Sequence, residues 1–135
     1  MKKVVSLAIM VVIMFAFCAT AFAETTTYVL GNDVRDSKLL ISGTTATCKS
    51  SYTSNGDDVV KVVMTQSLQK QGFLWIWGEY DGGWTKTSNG TSIVLSNTLS
   101  GLPSGSYRVK TVFTVTDKNG NEETTTLYST TEKVS

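Results

Sequence analysis

All three tryptophans of the chain fall in one stretch, Phe73-Leu74-Trp75-Ile76-Trp77-Gly78-Glu79-Tyr80-Asp81-Gly82-Gly83-Trp84. Rings gathered in this way serve to stack on flat or apolar partners, or to fill a core, rather than to break bonds. On an extended strand Trp75 and Trp77 share a face with Phe73 in line, while Leu74, Ile76 and Tyr80 take the other. Both faces are then apolar. One must line a core, where each large side chain contributes roughly 1.5–3 kcal/mol, and the other lies under a loop or meets solvent as an aromatic strip. An exposed strip beside Gln71, Glu79 and Asp81 suits sugar stacking or a protein partner, with Trp75, Trp77, Tyr80 and Trp84 as the candidate contacts. The competing reading puts these rings in the interior or beneath a Gly82–Gly90 loop, as structural side chains.

Bond-making chemistry has little to work with. The 135 residues hold 12 Lys+Arg, 11 Asp+Glu, two Cys, one Pro and no His. Without His, Ser-His-Asp triads, Cys-His dyads and His-based zinc sites cannot be assembled. Cys48 has only Lys49 as a basic neighbour in sequence to lower its pKa, so it reads as a small buried hydrophobe rather than a nucleophile. Asp57-Asp58 and Asp117-Lys118-Asn119-Gly120-Asn121-Glu122 put oxygen ligands on turns, but Gly120 sits at the fourth position where a calcium loop of the EF-hand type requires Gly at the sixth. A hairpin turn explains those residues better. Scattered carboxylates on a small domain are expected for solubility and do not make a glycosidase pair. The expectation is therefore no catalytic residues, no metal and no cofactor. The near-neutral charge also argues against nucleic acid, which needs a basic stripe.

At the N-terminus, Lys2 and Lys3 precede an apolar run from Val4 to Phe17 and the small-residue triplet Ala21-Phe22-Ala23. This predicts a signal peptide over residues 1–23, cut before Glu24; the run is shorter than the roughly 20 residues of a spanning helix. Cys18 follows Phe17, which does not suit lipid attachment. The expected product is a secreted, extracellular chain, off the membrane once cleaved. Without Lys2, Lys3 and Cys18, ten basic residues face eleven acidic ones and Cys48 stands alone, so packing rather than a disulfide must hold the fold.

Residues 24–37 are polar and uneven, and are expected to form a flexible leader. Beyond them, Thr and Ser alternate with apolar residues at period two, and no segment has helical periodicity. The clearest strand places Tyr107, Val109, Phe113 and Val115 on one face and Arg108, Lys110, Thr114 and Thr116 on the other. Ile93, Leu95 and Leu99 mark a strand before it and Thr124–Thr130 one after it, joined by the Asn119-Gly120 hairpin signal. Upstream, Ala46, Cys48 and Tyr52 form an inward row, as do Val60, Val62, Met64 and Leu68. About seven strands result, near 38–42, 45–53, 59–69, 73–80, 91–99, 107–116 and 123–130. That count predicts an all-β fold, an antiparallel two-sheet sandwich over residues 38–135.

The segment Leu102-Pro103-Ser104-Gly105-Ser106-Tyr107-Arg108-Val109 resembles the tyrosine corner of fibronectin type III and other immunoglobulin-like domains. Gly105 would turn the chain, Leu102 cap the core and the Tyr107 hydroxyl satisfy a backbone group left unpaired between sheets. The Cys-Trp-Cys pattern of antibody domains is missing. With Leu68-Gln69-Lys70, a nearby Trp, Tyr107-Arg108-Val109 and a Glu-Thr-rich last strand, the chain as a whole is similar to small secreted immunoglobulin-like proteins of Gram-positive bacteria. That resemblance implies export and this sandwich, and no activity. The functional expectation is a non-enzymatic binding module whose aromatic surface meets a cell-wall glycan or an extracellular protein. The alternative is a structural protein that pairs through an edge strand, suggested by the Thr-rich last strand and the polar leader.

Overall fold

The computed structural model describes residues 33–56 and 58–135. The expected signal peptide, most of the leader and Asp57 lie outside them. Eight strands follow one another: β1 (Val34–Ser42), β2 (Thr45–Thr53), β3 (Val59–Gln71), β4 (Trp77–Ser88), β5 (Ser92–Leu99), β6 (Gly105–Asp117), β7 (Glu122–Tyr128) and β8 (Glu132–Val134). They form an all-β, two-sheet antiparallel sandwich. One sheet has the order β1-β2-β5, the other β4-β3-β6-β7, with β8 pairing the start of β6. Hairpins stay within a sheet, whereas β2 to β3, β4 to β5 and β5 to β6 cross between sheets.

The alternation that predicts the strands also fills the core. Tyr107, Val109, Thr111, Phe113 and Val115 of β6 are buried, as are Ala46, Cys48, Ser50 and Tyr52 of β2. Two apolar clusters result, one around Leu39, Cys48, Leu68, Tyr107 and Val134, the other around Tyr52, Val62, Met64, Phe113 and Val115. A polar belt also links the sheets through the interior. The Gln66 amide donates to Ser50 Oγ at 2.7 Å and accepts from Asn97 Nδ2 at 2.8 Å, and Thr111 Oγ1 lies 2.7 Å from Ser50 Oγ and 2.9 Å from Ser37 Oγ. A buried polar group without partners costs about 1–3 kcal/mol, so these side chains demand one register of sheet on sheet.

Three expectations change. The first strand starts at Val34 rather than residue 38, because Arg35 takes part in closing the sandwich. Its guanidinium, 6% exposed, bonds Glu123 Oε1 at 3.1 Å and Thr125 Oγ1, lies 3.9 Å from Asp33 Oδ2 and packs over the Tyr52 ring. Tyr52 in turn donates to Asp33. Next, a register irregularity between Val59 and Lys61 turns Val59 inward and leaves Val60 43% exposed, against the expected inward row. Finally, no strand runs from 73 to 80, and residues 82–88 are strand rather than loop.

Candidate functional site

The β3–β4 hairpin decides where the aromatic residues go. β3 continues to Gln71, and the chain then reverses within Phe73–Trp75, a single 3-10 turn. Ile76 N–H donates to Phe73 O at 3.3 Å and Gly72 N–H to Ile76 O at 2.7 Å. The two central residues, Leu74 (φ 57°, ψ 29°) and Trp75 (φ 60°), are left-handed, as in a type I′ turn. This backbone normally selects Asn-Gly, because a Cβ is penalised there by about 1–2 kcal/mol per residue. Bulky Leu and Trp occupy it here, and their side chains gain little from the rest of the fold. Phe73 is 85% exposed, Leu74 63%, Trp75 76% and Ile76 66%, four consecutive apolar residues on a convex tip.

The expected strip of Trp75, Trp77, Tyr80 and Trp84 is therefore divided. Trp75 sits at the tip, not on a strand face shared with Trp77. Trp77 lies on the outer face of its sheet against Arg108. Tyr80, partly exposed, meets the Tyr107 ring edge-on at 5.6 Å. Trp84 packs on the core cluster of Leu68 and Tyr107. The physical cause is twofold: the turn takes Trp75 off the strand after Gln71, and Tyr80 and Trp84 follow Trp77 at odd spacings that put them on the opposite face; the β3–β4 register also carries two irregularities. Gly82 sits at one of them; a Cβ there would lie 2.4 Å from Ser67 Cα.

Beside the tip, the outer face of the second sheet carries a stacked array. Arg108 Cζ lies 4.3 Å from the Trp77 ring and 4.0 Å from the Tyr128 ring. Arg108 Nε donates to Gln69 Oε1 at 2.8 Å, and Gln69 Nε2 donates to Glu79 Oε1 at 3.2 Å. Lys110 Nζ stands 3.8 Å from the same carboxylate. Partial burial lowers the Arg108 pKa from its ordinary value, with the Tyr128 hydroxyl opposing, yet guanidinium remains cationic at any ordinary pH. Sequence reasoning placed Arg108 on an outward face but missed Tyr128, Gln69 and the tip residues Phe73, Leu74 and Ile76 as functional candidates. The signal was an unbroken apolar run after Gly72, too polar on neither side to be an ordinary half-buried strand.

Residues 102–107 pack together. Tyr107, fully buried, donates its hydroxyl to Pro103 O at 2.5 Å, Leu102 is buried in the same cluster, and Gly105 adopts φ 151°. Burial raises the Tyr107 pKa, with Tyr80 adding to the shift. Cys48 is buried, and desolvation pushes its thiol up to about 11, which suits an inert core residue. The Asp117 carboxylate is engaged in its own turn, accepting from Asn119 N–H and Asn121 N–H at 2.9 Å each and from Asn121 Nδ2 at 3.1 Å.

No family model matches the chain, and no curated protein matches it either. Among solved structures it is similar to wild-type OgpA from Akkermansia muciniphila in two crystal forms, each with a TM-score of 0.39. Identities are 15% and 11%, over 77% and 84% of this chain and 30% and 32% of that one. It is also similar to catalytically inactive OgpA in complex with an O-glycopeptide substrate, glycodrosocin, with a TM-score of 0.36 and 14% identity over 79% of this chain and 31% of that chain. The chain spans about a third of the length of the OgpA chains it matches. Likeness at this level carries no conclusion about activity.

Proposed function

We propose that this chain is a secreted, non-enzymatic binding module of immunoglobulin-like, fibronectin type III-like build, and that it docks its β3–β4 hairpin tip into an apolar pocket of an extracellular protein. The supporting observation is the tip itself: Leu74 and Trp75 hold positive φ while Phe73, Leu74, Trp75 and Ile76 remain exposed. A strained, solvated apolar turn costs the isolated fold stability, and such strain persists where it serves a contact made elsewhere. Of the two expected partners, protein is favoured over glycan. Sugar stacking uses a flat ring flanked by polar groups, whereas Leu74 and Ile76 surround Trp75 with branched aliphatic surface, which suits a pocket of the kind that receives hot-spot residues. The lack of a basic excess gives no attraction to anionic lipid. The Tyr107–Pro103 hydrogen bond supports the tyrosine-corner reading of residues 102–107.

Edge-strand assembly has less support. β4 is twice irregular in register, and Lys86 Nζ donates to Val94 O on β5 at 2.8 Å, both of which blunt an edge. The test is binding of wild type and of a Leu74→Asn/Trp75→Gly double variant to separated extracellular proteins and to purified cell-wall glycan. A purified protein that binds wild type saturably and loses at least tenfold affinity for the variant supports the proposal. Equal binding by both, or retention on glycan alone, overturns it.

A further inference from the structure

The chain has two arginines, and the structure treats them oppositely. Arg35 is enclosed with Asp33 and Glu123. Arg108 has no carboxylate among its described contacts: Glu79 reaches it only through Gln69 and lies instead toward Lys110. Trp77 pairs with Gln71, one residue beyond the Lys70–Tyr107 pair, whereas Tyr128 pairs with Lys110. Their rings thus approach Arg108 from opposite directions along the strand, with centroids 4.3 Å and 4.0 Å from its Cζ. The Nε–H bond to Gln69 fixes the remaining rotation. The Nη donors have no hydrogen-bond partner among the described residues and are not among the buried unpaired atoms. A guanidinium packed against two rings, oriented at Nε and open at its Nη fork has already lost much of the side-chain entropy that binding would otherwise cost.

We propose that Arg108 binds an oxyanion through its Nη fork, and that the ligand is the carboxylate of an acidic side chain on the protein that receives the adjacent tip. The partner's identity rests on the docking proposed above; the anion site does not. A carboxylate presents two coplanar oxygens that match the fork. Glu79 lies beside the fork, 3.8 Å from Lys110, and opposes a phosphate of charge about −1.5 to −2 more than a monoanion. Trp77 directly follows Ile76, so a tip seated in a pocket brings the pocket's rim to Arg108.

The experiment is an NMR titration of the 15N-labelled protein at constant ionic strength, following the Arg108 Nε–H and Trp77 indole N–H resonances. The probes are N-acetylglutamate α-amide, its neutral isostere N-acetylglutamine α-amide, and inorganic phosphate. Saturable shifts with the glutamate probe only, absent in Arg108→Gln and at least tenfold weaker in Arg108→Lys, are expected, because a charge-assisted fork contributes about tenfold or more. Glu79→Gln leaves the stacked guanidinium in place and removes the opposing charge, so it is expected to tighten the probe severalfold. Non-saturating shifts, shifts that survive in Arg108→Gln, equal binding by Arg108→Lys, tighter binding of phosphate, or no tightening in Glu79→Gln would each overturn the assignment. The Leu74→Asn/Trp75→Gly variant is expected to bind the glutamate probe as wild type does. Equal protein docking by that variant and wild type, with probe binding intact, would mark failure of the tip reading alone, whereas lost docking by the variant with no probe binding by wild type would mark failure of this one alone.

Discussion

Replacing Leu74-Trp75 with Asn-Gly is expected to make the protein more stable while disabling it. Both residues hold left-handed backbone, which costs a residue bearing a Cβ about 1–2 kcal/mol each. Asn tolerates that conformation and Gly adopts it freely, though Gly returns roughly 0.5–1 kcal/mol through its greater freedom in the unfolded chain. Little packing is lost, since Leu74 is 63% and Trp75 76% exposed. The net gain is about 1–2 kcal/mol, and for a domain of this size each kcal/mol raises Tm by about 4–8 °C. Differential scanning calorimetry of the wild type and the double variant at one pH and scan rate measures it directly. An unchanged or lowered Tm would refute the reasoning, because it would mean that Leu74 and Trp75 stabilise the isolated fold and that no strain is held at the tip.

Four further outcomes follow from the same geometry. Tyr107→Phe removes the hydroxyl donated to Pro103 O and is expected to cost about 1 kcal/mol, read as a lowered urea midpoint with unchanged m-value. Gly82→Ala forces a Cβ against the Ser67 backbone at φ 139° and is expected to cost about 2–4 kcal/mol by the same assay. Stability is expected to fall above about pH 9: Cys48 is raised to about 11 by burial, and Tyr52 is raised by burial and by its bond to Asp33, so the unfolded state releases these protons first. Urea midpoints at pH 7 and pH 10 check this, with Cys48→Ala expected to flatten the decline. Asp117→Ala is expected to quicken amide exchange at Asn119 and Asn121, whose N–H groups its carboxylate binds.

The difference between what could and could not be read from the sequence has a physical origin. Period-two alternation in β2 and β6 reports directly on burial, because successive strand side chains face opposite ways, and the inward residues Ala46, Cys48, Tyr52, Tyr107, Val109, Phe113 and Val115 all lie in the core. The turn residues Asn119-Gly120 were legible for a similar reason: their conformational demands are local. The arrangement of strands into two sheets and the placement of the aromatic residues were not. An apolar run on both faces, as at Phe73–Trp77, satisfies a strand and a hairpin tip equally well, and only the pairing of Gln71 with Trp77 selects the tip. Trp77 and Trp84 are an odd number of residues apart and so take opposite faces of β4, Trp77 outward and Trp84 inward. Arg35 looked like part of a polar leader because its partners Glu123 and Thr125 lie far along the chain. Likewise Trp77, Arg108 and Tyr128 belong to three different strands and carry no shared spacing. Local sequence determined the alternation, the turns and the absence of His chemistry. Sheet pairing, a long-range property, decided which apolar residues became core, which became the exposed tip, and which came to clamp a guanidinium.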